Sequence, residues 1–411
     1  MPSPKTLGWL NRTVHAEIQS PVHRYGLVSG AVQLINWGVM YYSFGILLPD
    51  IHSETGLSLA LLGSAPTLAA LSGSVAAIAL GHYWQVGNAG TSFFAGIGLG
   101  ALAMALWSVS SEAWHFLLVA IVLGIGQALC LYDASFMMVH RHIRNPELRT
   151  GVLMRITLLG GLASAVFVPL AGGLASIYSW RSTMLILAGV LLVAALPLAR
   201  RLAPFEETGS PLPKRTRLNT GPPIGTFDLG SWTFTVGLAS AALATILPVS
   251  LLDLGFCGSV VVALVALLGI TQLAGRLLLM PLAQRFGTRP LLSTTSLAIG
   301  TGILALAFLP PQITWLSIMT TGTALGMSAL LRPVVLERVA GNSRVFAQMN
   351  GVQNTIGQAA RAAGPVSAGL AFDLGGSGRA PLVLIGSCAM IAGLVLVLRS
   401  PLIRHRRQQR S

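Results

Sequence analysis

The sequence predicts an all-α integral membrane protein of twelve transmembrane helices, built as two six-helix repeats. Three observations carry this expectation. Of the 411 residues, 53% are hydrophobic and 9% charged, where a soluble domain has roughly 25% charged, and the mean hydropathy is +0.73. Apolar stretches of about 20 residues, enough to cross a hydrocarbon core about 30 Å thick, recur along the chain. A polar, proline-rich interval divides these stretches six and six, and short elements recur at matching places on either side of it.

In chain order, residues 1–24 mix Lys5, Arg12, Glu17 and Arg24 and have neither the apolar run nor the small-residue cleavage site of a signal peptide. They are read as a cytoplasmic tail. The first span, 25–49, carries Ser29, Gln33, Asn36 and Met40 on one helical face, with Trp37, Tyr41 and Tyr42 beside it. The second, 57–81, runs into "GHYWQVGNAG" (81–90). The third and fourth, 90–110 and 113–139, hold "GIGLG" (96–100) and "LGIG" (123–126), glycine strings that suit close helix packing because they lie inside spans. The fourth also aligns Asp133, Met137 and His140 on one face. The fifth, 150–177, contains Arg155 and ends in "PLAGGLA" (169–175); the sixth is 182–199.

Residues 200–227 read as a cytoplasmic linker between a first bundle, 25–199, and a second, 228–398. Spans of the second bundle fall at 228–250, 256–280, 290–309, 313–336, 345–372 and 380–398, followed by a basic tail, 399–411. The eighth span places Gln272 and Arg276 one turn apart and is followed by "MPLAQRFGTR" (280–289), matching in position the loop after the second span. In the tenth, "LLRPVVLERV" (330–339) sets Pro333 after Arg332, and a proline in a span is tolerated where the helix lines protein or water. The eleventh ends in "PVSAGLA" (365–371), identical to the fifth-span element at four of seven positions.

Charge fixes the orientation. Of 26 Lys and Arg, Arg155, Arg276, Arg332 and Arg361 lie within spans, Arg181 and Arg379 fall on one side, and all the others on the side that carries both termini. The positive-inside rule places that side in the cytoplasm. The net charge of +14 is therefore topological, and no nucleic acid partner is expected. Cys130, Cys257 and Cys388 lie in apolar segments and are expected as buried small hydrophobes. No metal-ligand spacing, phosphate-binding glycine motif or nucleophile–base–orienter set can be assembled, so neither a cofactor nor an enzyme is expected.

"PLAQRFGTRP" (281–290) resembles the Gly-x-x-x-Asp-Arg-x-Gly-Arg-Arg loop of the major facilitator superfamily, with Gln284 in the place of the acid and Arg285, Gly287 and Arg289 matching. The first-half copy keeps Gly81 but has Gln85 for the acid and no basic residue after it. In the family this loop latches one conformation through charge pairs, and the resemblance implies a weak or differently built first-half latch. "NWGVMYYSFGILLP" (36–49), "LYDASF" (131–136), "TLLGGLASAVFVPL" (157–170), "SWR" (179–181), "GITQLAGR" (269–276) and "QAARAAGP" (358–365) resemble a bacterial branch of monocarboxylate-transporter-like facilitators. There an arginine at the place of Arg276 is held to meet the substrate carboxylate; the acid often found one turn before it is Gln272 here. The resemblance implies an acid at Asp133 and a small residue where this chain has Arg155.

Charges within spans are functional candidates, since each costs at least about 2.5–3.5 kcal/mol at a helix centre. Asn350, Asn354, Gln358 and Arg361 share one helical face, bordered by Gln353, either lining a cavity or serving as glue between helices. Arg276 and Arg332 add guanidinium groups, permanently charged forks that grip carboxylates bidentately. With Gln272, Asn36 and Tyr41 these residues form the expected substrate site. Asp133 and Arg155 are expected either as a structural ion pair or as a proton-coupling pair. A cavity biased by such cations attracts anions. The expectation is a transporter of a small organic anion, a carboxylate, working by alternating access with protons as coupling ion, a monomer whose other partner is the lipid bilayer. The rival is an exporter of a drug or secondary metabolite on the same fold.

Overall fold

The computed structural model describes residues 21–83, 89–143, 145–202, 226–340 and 343–408. In lipid every backbone polar group needs a partner within the protein, and apolar segments of these lengths satisfy that need as helices. The long helices are α1 (Val22–Thr55), α4 (Ala113–Val139), α5 (Leu148–Ile177) and α6 (Trp180–Arg200); α2 (Leu59–Tyr83) and α3 (Ala89–Ser108); α7 (Thr226–Asp253), α8 (Gly258–Phe286) and α9 (Thr288–Phe308); and α10 (Thr314–Ala340), α11 (Ser343–Gly375) and α12 (Arg379–Gln408). Among the described residues, 11 helices are long and apolar enough to cross a membrane. The exception is α11, whose 33 residues include the stripe Asn350, Gln353, Asn354, Gln358 and Arg361.

The twelve helices form two sixes with one pairing pattern. In the first, α1 packs on α5, α2 and α3 on α4, and α3 on α6; in the second, α7 packs on α11, α8 and α10 on each other, α9 on α10, and α9 on α12. Adding six to each label converts one set into the other, the signature of a repeat. Between the sixes, α2 packs on α11 and α5 on α8, contacts that the same operation exchanges.

Small residues set this seam. Gly63 lies against the Pro365 carbonyl, Gly369 against Leu59, Gly172 against Val262 and Gly45 against the Ala244 carbonyl. Side chains larger than hydrogen would force these backbones apart. The Asp373 carboxylate, at the end of α11, accepts from the backbone N–H groups of Leu59 (3.2 Å) and Ala60 (2.7 Å) in the first turn of α2. These contacts gather in the helix halves farthest from the chain termini, so the two sixes are closed against each other at that end.

At the same far end "SWR" has a structural task. Ser179 caps α6 by accepting from the Ser182 N–H, the Trp180 indole donates to Glu54 at 2.6 Å, and Arg181 pairs with Glu54 at 2.8 Å while also donating to the Ser108 and Ser110 carbonyls. The loop between α8 and α9 shrinks to Gly287, whose φ of 81° suits only glycine; Arg285 beside it is exposed, its guanidinium 5.2 Å from the Phe286 ring. Arg289 lies in the first turn of α9 and Gly81 in the last turn of α2; residues 84–88, with Gln85, lie outside the described residues. Only Cys130 is buried: Cys257 and Cys388 are exposed, correcting the expectation for those two. Cys257 sits in the turn before α8 and Cys388 on the outer surface of α12, where lipid replaces a protein core. Exposed Val75, Ile78, Val193 and Leu374 mark the same outer surface.

Candidate functional site

Between the two sixes lies a cavity of about 430 Å³, lined by α1, α2, α4 and α5 with Trp107 of α3 on one side and by α7, α8, α10 and α11 on the other. It extends from the closed seam toward the end that carries the termini. Its first wall is shaped by three interruptions of helical backbone. In α1, residues Gly38–Tyr42 form a π-helical turn, a device that re-aims side chains near functional sites. In α4 the helix stops at Cys130 and restarts at Tyr132, with Leu131 extended. In α5 it stops at Gly161 and restarts at Ala163.

Each interruption is matched by a side chain from a neighbouring helix. Gln127 donates to the Met40 carbonyl at 2.7 Å. Gln33 and Asn36 donate to the Cys130 carbonyl at 2.8 and 3.2 Å, and Gln33 also reaches Ser135. The Arg276 guanidinium crosses from α8 and donates to the Thr157 carbonyl at 2.6 Å, one turn before the break in α5. Room for it comes from Gly161, where any Cβ would strike the guanidinium, and from Gly160, where one would strike the Tyr132 ring.

Gln272, Arg276, Arg332, Asn354, Gln358, Arg361 and Tyr41 all line this one cavity. Arg361 Nε faces Gln358 Oε1 at 3.3 Å, so the α11 stripe is internally linked. Arg332 lies in the field of both Arg361 and Asp133. Two expected members are elsewhere. Asn36 is fully buried and spent on the break in α4, and Asn350 lies one turn of α11 before the lining begins at Asn354, outside the cavity wall. Gln353 is buried behind the lining, accepting from Thr233 at 2.7 Å.

The expected Asp133–Arg155 ion pair is not formed: among the described residues the salt bridges are Arg181–Glu54 and Arg399–Asp228. Asp133 lines the cavity from the first turn of the second α4 segment, where the helix N-terminus favours a carboxylate. Arg155 is outside the lining, its stem lying against Gly26 of α1. The break at Leu131 separates the two by turning Asp133 toward the cavity. The cavity thus holds three guanidinium groups against one carboxylate.

Arg276 Nε is buried and has no hydrogen-bond partner among the described residues. An unpaired buried donor costs about 1–3 kcal/mol, more when charged. Sequence reasoning missed Gln127, Tyr132, Thr233, Ser240 and Ser328 of the lining; a lone amide in an otherwise apolar span was the available clue for Gln127.

Twelve helices in exchangeable sixes, closed at one end around a central cavity that carries charged side chains, define a membrane transporter of small molecules. The chain belongs to the Major Facilitator Superfamily, whose family model matches residues 27–365. Its fold is similar to that of a bacterial homolog of the human lysosomal transporter Spinster in an inward-facing and occupied conformation, with TM-score 0.72 and 15% identity over 93% of this chain and 98% of that one. It is also similar to a mutant of the nucleoside transporter NupG, with TM-score 0.69 and 13% identity over 92% of this chain and 99% of that one. No curated protein matches the chain at a significant level.

Proposed function

We propose that the chain carries a small organic anion, a carboxylate, across the membrane by alternating access, with protons coupled through Asp133. The observation that carries this reading is the Arg276 guanidinium, held between α5 and α8 with its buried Nε unpaired and with Arg332 and Arg361 on the same cavity wall. Cations outnumbering acids in a low-dielectric cavity favour anionic cargo and oppose cationic cargo. Two further features agree with it: the planar fork of each guanidinium suits a carboxylate, and the amides of Gln272, Asn354 and Gln358 supply hydrogen bonds for shape. The excess of arginines on the terminal side supports a reading in which that side faces the cytoplasm and the membrane is an inner membrane. The cavity then extends inward and the α2–α11 and α5–α8 seam is the closed outer gate.

Uptake into proteoliposomes tests it. At least one of a panel of labelled carboxylates is expected to accumulate, faster under an inward proton gradient in the wild type and without that acceleration in Asp133→Asn. If hydrophobic cations move and no carboxylate does, the anion reading is wrong. If Asp133→Asn responds to the gradient as the wild type does, the proton role of Asp133 alone is lost.

A further inference from the structure

We infer that the carboxylate is aromatic: a flat arylcarboxylate whose ring lies on the first wall of the cavity while its anionic group meets the guanidinium groups opposite. The inference rests on the anion reading and adds the ring to it. Trp37, Tyr41, Tyr132 and Phe136 all border the cavity. Trp37 is their hub, its centroid 5.1 Å from Tyr41 and 5.0 Å from Tyr132; Tyr132 in turn stacks on Phe136 at 5.4 Å and 18°. These are separations at which ring pairs attract beyond their buried area.

The rings are placed here by irregular backbone. Tyr41 belongs to the π turn of α1, which Trp37 immediately precedes, and Tyr132 and Phe136 follow the break in α4. Helices that continued without interruption would rotate these side chains away from their present directions. A wall of ring faces and edges offers a flat π system more than it offers a short aliphatic acid of equal charge.

The two walls meet at Tyr132. Its hydroxyl, 3.5 Å from the Thr157 carbonyl, converges on the same oxygen that Arg276 grips at 2.6 Å. A ring laid on Trp37 and Tyr132 therefore directs an attached carboxylate toward Arg276. A volume of about 430 Å³ falls in the range of roughly 300–1,000 Å³ usual for small-molecule sites.

Calorimetric titration of the purified full chain with benzoate, 4-hydroxybenzoate, cyclohexanecarboxylate and benzamide tests this. Benzoate is expected to bind about tenfold more tightly than cyclohexanecarboxylate, which keeps the charge and approximate bulk and lacks the π face; that ratio is about 1.4 kcal/mol. Tyr132→Leu, verified as monodisperse, is expected to lower benzoate affinity about tenfold and leave that of cyclohexanecarboxylate unchanged. Equal affinities for benzoate and cyclohexanecarboxylate, equal losses of both in Tyr132→Leu, or no binding of either arylcarboxylate overturn the inference. Benzamide binding as tightly as benzoate sinks the anion reading beneath it.

Discussion

Arg361 is an always-charged group in the middle of a helix otherwise rich in alanine and glycine, and its surroundings explain why it is kept. It lines the cavity with Asn354 and Gln358 on successive turns and shares its field with Arg332. Arg361→Lys keeps the charge and loses the fork, and a charge-assisted hydrogen bond is worth roughly 1.5–3 kcal/mol. Carboxylate uptake by proteoliposomes of that variant is therefore expected to fall at least about tenfold with insertion unchanged; undiminished uptake would make Arg361 structural. The cationic half of the cavity was legible because a charge inside an apolar span stands out and helical spacing gives its neighbours. Asn36 has the same helical spacing and a different fate, since the carbonyl that claims it is exposed only by the break in α4. Arg155 failed for the same reason: depth along a helix can be counted in a sequence, but the rotation imposed by Leu131 cannot.

At the scale of elements, α11 joins two tasks. Its middle presents the polar stripe, and its last turns close the far end against α2, through Gly369 on Leu59 and through Asp373 on the first N–H groups of α2. A carboxylate at a helix N-terminus contributes roughly 0.3–1 kcal/mol, up to about 2 when partly buried. Because the contact joins the two sixes, that energy belongs to the state in which the far end is closed. Asp373→Asn is expected to shift the population several-fold toward a far-end-open state, seen as lengthened distances between spin labels on the far ends of α2 and α11. An unchanged distance distribution would show that the small-residue seam alone holds the gate. The repeated "PLAGGLA" and "PVSAGLA" elements made the kinship of α5 and α11 readable. The π turn of α1 was not, since nothing in the local composition of Gly38–Tyr42 distinguishes a wider turn from an ordinary one.

For the whole molecule, two sixes with interchangeable pairings meet at a seam of small residues, and the cavity lies on the terminal side of it. Rocking one six against the other about that seam would expose the same arginines to the opposite side, which is how one site serves both faces of a membrane. On the proposed reading a carboxylate sits in this cavity on Arg276. Ser240 lines the cavity without belonging to the charged set, so its cysteine variant, in a chain with Cys130, Cys257 and Cys388 replaced, reports occupancy through its rate of alkylation. A transported carboxylate is expected to slow alkylation of Ser240→Cys, and the protection is expected to disappear when Arg276→Gln is added. Protection that survives Arg276→Gln, or that cations give and carboxylates do not, would contradict that reading.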